Sequence, residues 1–368
     1  MKKILGGVIA FIVVIAIGIA ASSMAKPKDT AITVTGAVGG GKENFLADPD
    51  VLAILHDKYN INLKVDNWSN NKLIKDPIET NEKQSYDFVF FSDERFYEYY
   101  KKPAAQGEAP RQRVLKSQIV LSTPIVVYSW DSICDVLMSK GIVEKSDDTY
   151  YIADMPAVLS YIENNTKWAD IGIKDIYGKI NIASTDPVTS SPGATYYGLL
   201  ASIMNEGYVD ESNIDNVLPK LKDFYKLSGF MNNTPADLFD LYLRMGKGAY
   251  PMIVDYEKSI IDFANSNPDG FSKVKDKIRI LYPNPTIWNS HCIMSFTDAG
   301  TSYVDALTDP EIQKIAWEKY GFRTGVVGGE YDVKSVPVLG IPQEITSVTK
   351  GLQKEIYDEI IEALKIKN

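Results

Sequence analysis

The sequence predicts an α/β fold in two lobes, each a mixed, mainly parallel sheet flanked by helices, with a cleft between them. Three observations lead there. The chain has 368 residues, too many for one ordinary core and enough for two. Strand-like and helix-like runs alternate along it, the pattern of sheets with crossover helices. A long β-rich run, Gln118 to Tyr128, is broken at Ser122-Thr123-Pro124. Proline disfavours the middle of a central strand, so a strand bending at Pro124 would pass from one lobe into the other.

The elements follow in order. Ile32 to Thr35 reads as a strand running into a glycine loop, Gly36 to Gly41. Val51, Leu52, Ile54, Leu55 and Tyr59 have helical spacing, and Ile61 to Val65 alternates as a strand does. Tyr86 to Phe91 is a further strand. Beyond Pro124 come helices around Ile133–Met138 and Met155–Trp168, a strand Lys179–Ala183, helices near Val217–Leu227 and Ala236–Met245, and a strand Tyr250–Val254. Ile278 to Tyr282 leads through Pro283-Asn284-Pro285 to an extended run, Ile287 to Phe296, that would return to the first lobe. A helix pair, Ser302–Leu307 and Glu311–Tyr320, follows. The last segment, Gly351 to Ile366, places Leu352, Ile356, Ile360, Ala363 and Leu364 on one apolar helical face, expected to dock on a lobe.

Composition narrows the function classes. Hydrophobic residues make up 45% and charged residues 24%, the balance of a folded globular chain. The net charge is -9, and no basic stripe interleaves with aromatics, so a nucleic-acid partner has no electrostatic footprint. Cys134 and Cys292 belong to no metal spacing and read as two buried thiols. At the N-terminus, Lys2 and Lys3 precede an uncharged, mostly apolar run from Ile4 to Ala21. Its charge asymmetry is that of an export signal, and its length approaches the ~20 residues that span a bilayer. It reads as an uncleaved signal-anchor, with cleavage after Ala25 the alternative; either way the rest of the chain faces outward.

The sharpest motif is Thr185-Asp186-Pro187-Val188-Thr189-Ser190-Ser191-Pro192-Gly193, between a strand and a helical run. Ser191 suits an N-cap and Pro192 the first helical position. The amides of Gly193 and Ala194, with the nearby hydroxyls, would cradle an anion or polar group; a purely structural cap is the other reading. Gly36-x-x-x-x-Gly41-Lys42 resembles a nucleotide P-loop, but Glu43 stands where Ser or Thr should hold magnesium. It reads instead as a flexible loop bringing backbone amides to the cleft. Asn265 to Asp276 departs from a calcium loop at its ninth and twelfth positions, Lys273 and Asp276. His56 and His291 form no Ser-His-Asp or metal constellation, so no cofactor, metal or catalytic residue is assigned. Asp255-Tyr256-Glu257 ends a strand, where open sheets bind ligands; these acids face the cleft or cap the helix beginning near Lys258.

Taken together these stretches resemble the type II periplasmic solute-binding proteins, especially the sulfate- and molybdate-like branch. The likeness rests on the glycine loop, the crossovers Ile119–Tyr128 and Tyr282–Phe296, the motif Ile182–Ala201, and the run Ala306–Arg323 with its Lys319-Tyr320-Gly321-Phe322-Arg323, and covers about residues 30 to 325. The resemblance implies ligand contacts at Gly39, Gly40, Ser92 and Ser122, and at Ser190, Ser191, Gly193 and Tyr256; Glu257 joins them from its place at the strand end. It implies capture of a small polar ligand, an oxyanion foremost, for a membrane permease, or service as an anchored extracellular sensor or accessory module. The expected division is 1–29 as anchor and linker, 30–123 plus 286–345 as lobe I, 124–285 as lobe II, and 346–368 as a C-terminal helix.

Overall fold

The computed structural model describes residues 31–74, 86–103, 111–229 and 231–365. The apolar run of residues 4–21, and the point after Ala25 where the alternative reading expects cleavage, lie outside them. Among the described residues no helix is long and apolar enough to cross a membrane.

Two lobes share one long strand. The first contains β1 (Ile32–Val38), helix α1 (Pro49–Tyr59), β2 (Ile61–Asn67), β3 (Phe88–Phe90) and helix α2 (Glu94–Lys101). Then β4 (Lys116–Trp130) runs through both lobes. Its first half pairs antiparallel with β9 (Thr286–Ser295), as far as Pro124 opposite Trp288. From Ile125 onward it pairs instead with β7 (Met252–Tyr256) and β8 (Ile278–Pro283). The partners of β4 thus change at Pro124. The return crossover lies between β8 and β9, at the cis Asn284–Pro285 bond. The second lobe also holds α3 (Asp131–Ser139), a hairpin of β5 (Val143–Ser146) and β6 (Thr149–Ile152), α4 (Met155–Glu163), α5 (Ser191–Met204), α6 (Ile214–Ser228), α7 (Pro235–Met245) and α8 (Lys258–Ser266). Helices α9 (Asp298–Ala306) and α10 (Pro310–Tyr320) close the first lobe, and β10 (Arg323–Thr324) pairs with Ser122 and Leu121 of β4. Finally β11 (Val348–Thr349) pairs with the start of β9 and leads to α11 (Lys354–Lys365).

Where a separate sheet is expected in each lobe, the strands form one mixed sheet continuous through β4, and it is less parallel than expected. β1 runs parallel to β2 and β3, but both crossovers bring β4, β8 and β9 together antiparallel. A chain that leaves a lobe on one strand and returns on its neighbour must reverse direction, which explains the difference. The predicted strand Lys179–Ala183 is reduced to bridges at its two ends. The hairpin at Val143–Ile152, whose turn residue Asp147 has φ 51, carries no glycine and was not anticipated.

The apolar pattern explains the packing. Phe88 and Phe90 point into one core with Val34, Val38 and Tyr303, while Val89 and Phe91 point into another with Ala37 and Met294. A sheet covered on both faces needs a continuous apolar run, and Phe88-Val89-Phe90-Phe91 supplies it. The larger core spans Ile125 to Ile287 and also takes in Val336, Val338, Ile341 and α11. Residues 336–341 therefore pack with the second lobe, although they follow first-lobe elements in sequence. Cys134 and Cys292 are buried, unpaired thiols.

Candidate functional site

A cavity of about 1180 Å³ separates the lobes. Its wall on the first lobe contains Gly40, Ser92, Arg95, Asn289 and His291; on the second it contains Ser190, Ser191, Asp255, Tyr256 and Lys258.

Local structure places the second-lobe groups. α5 begins at Ser191 with Pro192 in its first turn, so Ser190, in extended backbone, is the N-cap in place of the expected Ser191. The hydroxyl of Ser190 caps nothing and has no hydrogen-bond partner, although the residue is buried. The expected amide cradle is absent. Gly193 donates its N–H to Thr185 Oγ1 at 3.0 Å, and Ala194 donates to Ser190 O at 2.9 Å. Gly193 is required for close packing: a Cβ there would sit 2.1 Å from Thr185 O. Across β7, Asp255 Oδ1 accepts its neighbour's backbone N–H at 2.7 Å, while Asp255 Oδ2 and the Tyr256 hydroxyl make no hydrogen bond of ordinary geometry, the hydroxyls of Ser259 and Thr195 being their neighbours. Burial raises the Asp255 carboxyl to about 6.

On the first lobe, the glycine loop works through Lys42. This lysine is buried, donates to Gly39 O at 2.6 Å and Ser92 Oγ at 2.9 Å, and lies 4.7 Å from the centroid of the Phe90 ring. Burial pushes it down to about 7, against the opposing pull of Glu43. Gly39 itself does not line the cavity. A Cβ there would meet Ser92 Oγ at 2.4 Å, so glycine permits the loop to pack on Ser92.

His291 sits on β9 beside Asn289. Asn289 Nδ2 donates to Ser92 O at 2.7 Å and lies 3.3 Å from His291 Nε2. An amide nitrogen only donates, so Nε2 is the acceptor and the neutral ring carries its hydrogen on Nδ1. That Nδ1 has no partner. Burial, then the charges of Lys42 and Lys258, hold the imidazole well below its usual pKa, which keeps it neutral. Arg95 is buried and paired with Asp93, its Nε 2.8 Å from Oδ1.

Three further residues singled out in the sequence lie elsewhere. Glu257 is fully buried away from the cavity, its oxygens 2.6 and 2.8 Å from Arg323 Nε and Nη2, and it accepts from the Tyr282 hydroxyl at 2.5 Å. Glu257 lies past the end of β7 in helical backbone, as the residue preceding α8, so it no longer follows the strand. Ser122 lines a separate cleft of about 310 Å³ with Glu94 and Trp288. Gly193 is behind the wall, as described. Gly40, Ser92, Ser190, Ser191 and Tyr256 are brought together. Sequence reading did not single out Arg95, Asn289, Lys258 or the α11 residues Lys354 and Tyr357, which also line the cavity. The sequence assigns His291 no role; its spacing of two from Asn289 on a β-strand, which puts both on one face, is the available signal.

No family model matches the chain, and no curated protein matches it. Solved structures do. A ferric binding protein from Campylobacter jejuni is 15% identical, with 90% of this chain and 98% of that chain covered and a TM-score of 0.56. The apo ferric ion-binding protein A of Pasteurella haemolytica is 10% identical, with 91% and 96% covered and a TM-score of 0.58. The substrate binding protein of an ABC transporter from Agrobacterium tumefaciens is 16% identical, with 92% and 96% covered and a TM-score of 0.52. The fold is that of the type II periplasmic binding proteins. At such identities the likeness speaks for the fold alone.

Proposed function

We propose that this chain is an extracytoplasmic solute-binding protein that captures a small polar anion, an oxyanion foremost, in the cavity between its lobes and presents it to a membrane permease. In this reading it does no covalent chemistry. The lobes divide near Thr123 and Thr286, and residues 4–21 tether the chain to the membrane. The observation that carries the reading is the set of buried polar atoms left without partners at the cavity: Ser190 Oγ, Tyr256 Oη, His291 Nδ1 and Asp255 Oδ2. A buried donor without a partner costs roughly 1–3 kcal/mol. Four unpartnered polar atoms in one cavity make sense when a ligand completes them. Three are hydrogen donors, and Lys258, 3.9 Å from Asp262, lies on the same wall. The fourth, Asp255, donates when protonated.

Two of the similar structures are named for ferric ion. For this chain, the unpartnered hydroxyls and ring nitrogen at the cavity favour the anion. A sensor or accessory module is the second reading, favoured by a C-terminal helix that touches both lobes. Native mass spectrometry of gently purified protein tests the proposal. A bound mass of an anionic solute, lost on mild activation, is the expected result. A co-purifying amine would overturn the anion assignment.

A further inference from the structure

Helix α11 lies on the cavity and belongs to neither crossover. Its residues Ile356, Ile360 and Leu364, at helical spacing, join the second-lobe core, and the helix packs against α6. The adjoining face points elsewhere. Tyr357 packs with Ala194 and Ile361, and its hydroxyl donates to Pro187 O at 2.8 Å. The ring of the same tyrosine lies 3.9 Å from the Arg95 guanidinium of the first lobe. Lys354 Nζ is 4.8 Å from the Tyr99 ring centroid, and Glu355 accepts from Lys102 at 2.7 Å. Arg95 and Tyr99 lie on α2, and Lys102 directly follows it. One helix is therefore fixed to the second lobe by apolar burial and to the first by cation–π and ionic contacts.

The two attachments differ in how readily they part. An apolar stripe inserted in a core separates only when that core opens. The Lys102–Glu355 pair is 46% and 42% exposed, and such pairs are individually weak. The separable joint is the one to α2.

We propose that α11 is a third wall of the ligand cavity and a tie across it, travelling with the second lobe and holding the lobes at this separation through Tyr357–Arg95 and Glu355–Lys102. Widening the cleft breaks those contacts. As a wall the helix rests on the solute-binding reading above; as a tie it does not.

The test places spin labels at Lys64 and Glu163, exposed positions on the two lobes, in the full chain. Cys134 and Cys292 are buried and stay unlabelled. Dipolar spectroscopy then compares the native chain with Tyr357→Ala and Lys102→Glu. Both variants should move the distribution to longer distances, at least halving the native population in Tyr357→Ala and shifting it less in Lys102→Glu. Adding Glu355→Lys to Lys102→Glu should restore it. Superimposable distributions in folded variants would overturn the tie. If Tyr357→Ala does not fold, the charge-reversal series decides alone, and an unmoved Lys102→Glu overturns it. Calorimetry with phosphate and sulfate on the same samples separates the two claims. Longer distances without anion binding sink the solute reading and keep the tie; anion binding with unmoved distances does the reverse.

Discussion

Tyr256 and Glu257 are neighbours in sequence and opposites in environment. Around Glu257 the acceptors are satisfied: Arg323 holds both carboxylate oxygens, Tyr282 adds a third bond, and the remaining guanidinium hydrogens reach Tyr331 Oη at 2.6 Å and the carbonyls of Pro342 and Gln343 at 2.8 and 3.2 Å. Around Tyr256 the hydroxyl, the Asp255 Oδ2 and, on the same cavity wall, Ser190 Oγ make no hydrogen bond of ordinary geometry. Both regions are buried at a junction of the lobes. The first has the completeness of a structural joint, and the second the incompleteness of a site awaiting its ligand. Polar residue types alone do not tell the two apart; partner accounting does.

The largest effect should come from breaking the joint. Arg323→Met strands the Glu257 carboxylate in a dry interior, which costs about 3–5 kcal/mol. Denaturant titration should show that loss. A stability change under 1 kcal/mol would mean that the joint is not structural.

A comparable effect, dependent on pH, belongs to Asp255. Its folded value of about 6 is raised above the ordinary 3.8, so the folded state holds a proton that the unfolded state has lost between those values. Its contribution to stability is complete below pH ~3.8 and declines as pH rises through ~6, by about 3 kcal/mol in all. Asp255→Asn should remove that decline. The check is the difference in stability between variant and native chain, measured from pH 4 to pH 7: it should grow with pH, and a flat difference contradicts the assignment.

Ser190→Ala should separate stability from binding. It removes a hydroxyl with no partner, so stability should hold or rise slightly. It also removes a charge-assisted hydrogen bond to an anion, worth about 1.5–3 kcal/mol, a loss of about tenfold to a hundredfold in affinity. A thermal shift with unchanged affinity would place Ser190 in the structural class. Ser122→Ala, in the separate cleft, should be the smallest, within about 0.5 kcal/mol in stability and with no change in affinity.

The fold was largely legible because its signals are local and periodic. Pro124 stands where β4 changes partners and Pro285 lies between β8 and β9, and the runs at Phe88, Met252 and Ile287 announce strands buried on two faces. The site was legible only in part. Ser190, Ser191 and Tyr256 stand at element ends that sequence can locate. Gly193 and Glu257 were misread because their roles depend on residues far away, Thr185 Oγ1 for one and Arg323 for the other. Arg95 and Tyr357 stack across 262 positions of sequence, a pairing that no local pattern encodes.

The measurement that tests the central claim most directly is calorimetric titration of the full chain with phosphate, sulfate, molybdate, amino acids and polyamines, repeated on Ser190→Ala and Asp255→Asn. Saturable binding of one of the anions is expected, weakened about tenfold or more by Ser190→Ala and not weakened above pH 7 by Asp255→Asn, which removes a negative charge from the anion's surroundings. Binding of an amino acid or polyamine that Asp255→Asn abolishes would contradict it, and would make the acidic wall of the cavity the recognition element.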